Sequence, residues 1–173
     1  MISLGGVFHM NPAFSFRPAT AADIPQLVRL RLAYLQEEFS DTDIPQSKLD
    51  AVAAQLPDYY SAHLGADCFV FTAETTDGTL AANVILVTEE KPANLSFPNG
   101  KSGTVLGVYT MPEYRGQGIC TKLMEMLLAQ AKAEGLDIVR LSASHMGKPV
   151  YEKLGFTLSH SKFTEMEYTI STK

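Results

Sequence analysis

Apolar and polar positions change period several times along the chain, and each change marks an element. Phe14-Ser15-Phe16-Arg17 alternates and stops at Pro18, which predicts a short strand whose ladder ends where proline has no N–H to donate. Leu27, Val28, Leu32 and Leu35 then recur at helical spacing. Two starts are open for that helix: Thr20 with Asp23 three residues on, or Asp23 as N-cap with Pro25 in the first turn. A second helical stretch spans about 46–64, with Leu49, Val52, Ala53 and Leu56 on one side, and Pro57 is expected to interrupt it. The period then falls to two. Runs at 68–73 and 80–87 flank Asp77-Gly78, the signal of a hairpin, and 88–101 with its two prolines is an irregular excursion.

The run 104–110 is β-branched and aromatic, bounded by Gly103 and Pro112, and predicts a mostly buried strand. After a short loop, Ile119, Leu123, Leu127 and Ala131 recur at four-residue steps beside Met124 and Leu128, with Lys122, Glu125 and Lys132 opposite. That is an amphipathic helix, stopped by Gly135. The segment 136–144 returns as a strand after a helix of crossover length, so it should run parallel to 104–110. A short helix at 147–155 has Pro149 in its first turn and Gly155 at its stop, which sets Phe156 against Tyr151 across the helix end. Finally, 163–170 alternates Met166, Tyr168 and Ile170 with Glu165, Glu167 and Thr169 and predicts a half-exposed antiparallel strand. The elements add up to an α/β (α+β) chain with a mixed sheet, a single domain at 13–173 behind a loose extension at 1–12.

Size and charge narrow the classes. With 173 residues and 46% hydrophobic content the chain can build one well-cored domain. A net charge of −5 argues against nucleic acid as a partner. Cys68 and Cys120 are the only cysteines; they suggest neither a disulfide framework nor a metal site, so no metal is expected and a reducing cytoplasm is the simplest compartment. No apolar run approaches 18 residues and the first ten lack a basic start, so neither membrane insertion nor export is expected.

The chemistry concentrates in the loop Pro112-Glu113-Tyr114-Arg115-Gly116-Gln117-Gly118, between strand and helix. Its glycines leave the main chain open to close approach, and the amides that start the next helix have no intrahelical acceptors. The helix dipole adds about half a positive charge there, so the place suits a phosphate. The loop has neither the Lys-Ser/Thr ending of a nucleotide P-loop nor the Gly-x-Gly-x-x-Gly dinucleotide pattern.

Arg115-Gly116-Gln117-Gly118-Ile119-Cys120 resembles the Arg/Gln-x-x-Gly-x-Gly/Ala signature of the GNAT family of N-acetyltransferases, with Cys120 where Gly or Ala is usual. Tyr151-Glu152-Lys153-Leu154-Gly155-Phe156 is similar to that family's second motif, in the family's order, so the resemblance covers about 103–156. It implies a mixed sheet of about six to seven strands with about four helices, and acetyl-CoA as cosubstrate. It further implies a splayed or bulged central strand at Gly107-Val108-Tyr109 whose main chain holds the thioester carbonyl, with Val108, Tyr109 and Thr110 binding the coenzyme. Residues 117–121, including Thr121, would meet the pyrophosphate with their amides, helped by Arg115 and Lys153. The Tyr151 hydroxyl would lie near the coenzyme sulfur as general acid.

Acyl transfer to an amine also needs a base, because an ammonium of pKa about 10.4 must lose a proton before it attacks. No carboxylate lies within 104–110, which leaves Glu37, Glu38, Glu74, Glu89, Glu90 or His145; His145 has the most suitable unperturbed pKa, about 6.5. The acidic run from Glu37 to Asp43 reads as a solvated connection or as a rim that attracts an amine. The expected activity is acetyl transfer to a primary amine of a small or amino-acid-like molecule. A non-catalytic acyl-CoA sensor, a peptide or protein amine as acceptor, and a homodimer stay open.

Overall fold

The computed structural model describes residues 13–160 and 163–170, so the expected extension at 1–12 lies outside the described residues. Five strands form one sheet in chain order: β1 (Ser15–Pro18), β2 (Cys68–Glu74), β3 (Leu80–Glu90), β4 (Lys101–Thr110) and β5 (Ile138–Arg140). Neighbours are antiparallel except β5, which runs parallel to β4. The hairpin and the parallel crossover expected from the pattern are therefore both present. The helices are α1 (Ile24–Glu38), α2 (Gln46–His63), α3 (Ile119–Ala133) and α4 (Lys148–Lys153). The chain divides into a unit ending at Ser142, which holds the sheet and α1 to α3, and a second unit starting at Ala143, which holds α4.

Alternation along β3 sorts the core into two layers. Ile85 joins Leu27 and Leu30 of α1, Leu56 and Tyr60 of α2, and Cys68, Val70, Leu80 and Tyr109 in one cluster. Val84 and Leu86, of the opposite parity, are buried on the side where α3 packs with Leu123, Met124, Leu127 and Ala131. Each such aliphatic side chain contributes about 1.5–3 kcal/mol by leaving water. α1 uses Leu27 and Leu30 as its buried anchors, and Leu32 and Leu35 are only half-buried.

The two candidate starts of α1 are both used, in series. The Thr20 N–H donates to Asp23 Oδ2 at 2.7 Å and opens a single 3-10 turn, Ala21–Asp23, from which α1 continues with Pro25 in its first turn. The Asp23 carboxylate also accepts from Arg17, at 2.7 and 2.9 Å, while Arg17 Nε donates to Glu74 at 2.6 Å. Arg17 thereby ties β1 to β2 and to the start of α1.

Three expectations need correction. α2 runs through Pro57 without interruption. Leu56 and Tyr60 anchor the turns around it in the core, and the Ser61 hydroxyl donates to the Pro57 carbonyl at 2.7 Å. The strand expected at 136–144 is only Ile138–Arg140, because its pairing with β4 ends at Thr104. No strand forms at 163–170, where Met166, Tyr168 and Ile170 are exposed. Alternation becomes a strand only where an edge accepts its ladder, and no described strand pairs with this segment. The sheet accordingly has five strands, not six or seven.

Candidate functional site

β4 is bordered differently along its length. β3 accompanies it throughout, but β5 pairs only with Ser102, Gly103 and Thr104, and beyond Thr104 that edge has no strand partner among the described residues. The register with β3 then slips. Leu106 faces Ile85 and Tyr109 faces Asn83, so Gly107 and Val108 together stand opposite Val84, with Gly107 at φ +55°. This is a bulge, within the stretch where the sequence resemblance implied one. The buried Asn83 amide donates to the Gly107 carbonyl at 3.2 Å, while its Oδ1 has no hydrogen-bond partner among the described residues.

Past β4, a 3-10 turn at Pro112–Tyr114 leads through Arg115 to Gly118, the N-cap of α3. Gly118 has φ +76°, and a Cβ placed on it or on Gly116 would meet nothing within 4 Å. No side chain caps the helix; its first bond runs from the Lys122 N–H to the Gly118 carbonyl at 3.2 Å. The main-chain N–H groups of residues 117–121 have no partner among the described residues. A row of amides free among the described residues, at the positive end of a 15-residue helix and behind two glycines with open space around them, offers the donors and the field that suit an anion.

Arg115 does not extend from this loop. Its Nε donates to the Thr110 carbonyl at 2.8 Å, Nη2 donates to Glu37 at 2.6 Å, and the guanidinium lies 5.7 Å from the centroid of the Tyr109 ring. Arg115 holds the Glu37 carboxyl below the usual carboxylate range, with the Tyr109 hydroxyl as a further hydrogen-bond partner. Burial first, and the neighbouring Glu38 second, push Tyr34 up to about 12. Two of the carboxylates considered as bases thus lie at the loop end of α1, and Glu37 is held there by Arg115. Glu74 is two strands away on Arg17. Glu89 and Glu90 stand opposite Ser102 and Lys101 at the far end of β4, beside a concavity of about 170 Å³ lined by Lys91, Phe97, Lys101 and Arg140. Burial raises the Cys120 thiol, so this cysteine serves packing at the start of α3.

Sequence reasoning missed Arg31 and Tyr34. The Arg31 guanidinium lies 5.2 Å from the Tyr34 ring centroid, and Tyr34 meets Tyr109 edge-on at 6.3 Å. The available signal was spacing: Leu27, Leu30 and Tyr34 follow the helical period, and Arg31 sits among them rather than on the opposite face.

In the second unit, α4 ends as its residues dictate. The Phe156 N–H donates to the Tyr151 carbonyl at 3.0 Å and the Gly155 N–H to that of Glu152 at 3.1 Å, the paired bonds of a Schellman stop. The rings of Tyr151 and Phe156 meet at 6.0 Å, and Tyr151 is buried. His145 and Lys153 are exposed.

Fold and loop together define a class: a mixed α/β protein whose central strand runs, through glycines, into the uncapped N-terminus of a long helix. The family model described as Acetyltransferase (GNAT) family matches residues 26–156, well over half of the chain, and the chain belongs to that family, an acyltransferase class of enzyme. A predicted acetyltransferase of Clostridium acetobutylicum, solved with acetyl-CoA, is 26% identical over 90% of this chain and 96% of that one, with a TM-score of 0.76. A GCN5-related N-acetyltransferase of Ralstonia eutropha is 27% identical over 91% and 99%, at 0.73. The glucosamine-6-phosphate N-acetyltransferase of Arabidopsis thaliana, 22% identical over 89% and 98% at 0.66, shares the fold. No curated protein matches the chain. Among the described residues no helix is long and apolar enough to cross a membrane.

Proposed function

We propose that the protein transfers the acetyl group of acetyl-CoA to a primary amine of a small or amino-acid-like acceptor. The observation that carries this reading is the row of amides at the start of α3 that have no partner among the described residues, reached directly from a strand whose outer edge is likewise unpaired among them. A pyrophosphate suits the amides, and the amide-bearing arm of the coenzyme suits the free edge of β4, as an added strand would. The likeness to a structure solved with acetyl-CoA supports this donor. The unpaired cysteines, one of them buried in the core, agree with a cytoplasmic setting.

In this reading the amine nitrogen attacks the thioester carbonyl; a C–N bond forms, the C–S bond breaks, the amine loses a proton and the thiolate gains one. A main-chain N–H at the bulge would stabilise the developing oxyanion. Tyr151 would protonate the thiolate, since a phenol of pKa about 10 can supply a thiolate whose conjugate acid lies near 8.5. With Glu37 held by Arg115, His145 is the candidate base.

The test measures thiol release over a panel of amines in wild type and Tyr151→Phe. We expect kcat to fall about 100-fold or more, with coenzyme affinity and melting temperature nearly unchanged. Tyr151→Ala should lower the melting temperature as well, by opening the contact with Phe156. Wild-type turnover in Tyr151→Phe, with chemistry rate-limiting, would remove Tyr151 as the acid. Coenzyme binding without thiol release on any amine would favour a sensor over a transferase.

A further inference from the structure

Arg31 differs from Arg115, its neighbour at the open end of β4, and from Arg17 on β1, because among the described residues no ion pair or hydrogen bond answers its charge. Arg17 is paired with Asp23 and Glu74, and Arg115 with Glu37 and the Thr110 carbonyl. Arg31 is half-buried, yet among the described residues it has neither an ion pair nor a hydrogen-bond acceptor; its guanidinium lies over the face of the Tyr34 ring, and its charge also reaches the Tyr60 hydroxyl. Its Nη1 lies 2.8 Å from the place a Cβ would take on Gly107, so the guanidinium rests on the bulge itself. A guanidinium keeps its charge and carries five N–H donors in a fixed fork. A ring face attracts the charge but satisfies none of those donors, and a half-buried cation without a partner is costly until an anion meets it.

The surroundings say what kind of anion has room. Of the two nearby carboxylates, Glu37 is held by Arg115, and Glu38 acts on the Tyr34 hydroxyl. On the same face of β4, Leu106 pairs with Ile85 and is 41% exposed, an apolar surface next to the bulge. The chain's net charge of −5 acts at long range and is screened beyond about 8 Å; contact with Arg31 decides orientation. We propose that Arg31 is the acceptor-specificity residue: it receives an anionic group of the amine substrate, a carboxylate or a phosphate monoester, while the substrate's carbon chain lies over Leu106 and its nitrogen is held at Gly107 and Val108. This rests on the acetyl-transfer reading above and names the substrate class for that same site.

Matched amines test it, with acetyl-CoA saturating: β-alanine against its amide, and phosphoethanolamine against ethanolamine. The anionic member of one pair should be preferred about 10- to 100-fold in kcat/KM, as a charge-assisted fork implies, with most of the difference in KM. The favoured pair identifies carboxylate or phosphate. Arg31→Gln should erase the preference and Arg31→Lys keep part of it, each with coenzyme affinity within about twofold of wild type by calorimetry. Equal use of both members of both pairs by the wild type, which needs no variant to fold, overturns the assignment, as does a preference that survives in Arg31→Gln. Failure of the wild type to bind acetyl-CoA overturns the transferase reading beneath it.

Discussion

Glycines with left-handed backbone flank β4 at both ends, for opposite reasons. At Gly100, φ +68°, an added Cβ would lie 2.2 Å from the Lys91 carbonyl oxygen, and the chain itself fills the space. At Gly118, φ +76°, it would meet nothing within 4 Å. The first end is closed: β4 starts there between β3 and β5, and the Lys91 N–H donates to the Gly100 carbonyl at 2.8 Å. The second end is open, with a bulge and, among the described residues, an unpaired edge and free amides. Stability and ligand capacity thus separate along one strand, because main-chain groups already bonded within the fold have nothing left to offer a ligand.

Exchanging valine into the two glycines breaks this contrast most directly. Gly100→Val should cost about 3 kcal/mol, roughly 10 °C in melting temperature, through backbone strain and collision, with acetyl-CoA affinity near wild type. Gly118→Val should do the reverse. Its strain is about 1–2 kcal/mol, but calorimetry should show affinity falling about 100-fold as the side chain occupies the space a phosphate needs. Equal losses of affinity in both folded variants would mean that the two ends are not separable.

The Arg17 network is a control away from both ends. Arg17 holds the buried Asp23 carboxyl at about 2. Its folded pKa lies below the unfolded one, so the stabilisation is complete above about pH 4 and disappears as pH falls through 2. Denaturant titrations should show the wild type losing about 2 kcal/mol across that window and Asp23→Asn losing little, with coenzyme affinity at neutral pH unaffected. The smallest effect belongs to Glu37→Gln. An exposed ion pair contributes about 0–1 kcal/mol, so stability should barely move, while acetyl-CoA affinity should rise a few-fold as Arg115 is released toward the phosphates. Unchanged affinity would show that Arg115 only braces the loop against α1.

Residues close in sequence carried their own instructions. The stop at Gly155 and the Tyr151–Phe156 contact span six positions, and local hydrogen bonds decide them; the same holds for the Thr20–Asp23 turn and the amphipathic run of α3. The glycine loop opening α3 was legible for the same reason, since a helix start and its free amides are properties of neighbouring residues. Partners far apart in sequence were a different matter. Whether 136–144 paired along its whole length, whether 163–170 found an edge, and whether Pro57 broke α2 depended on neighbours that no local pattern names. Arg115 read as a free cation for phosphate, but Glu37, 78 positions earlier, takes its guanidinium. Arg31 was not among the residues the sequence singled out, and only the fold lays it on Gly107. Sequence by itself determined the locally specified elements, the glycine loop and the family; tertiary structure decided how far the strands pair and which charges are already paired, because pairing requires proximity in space that packing alone creates.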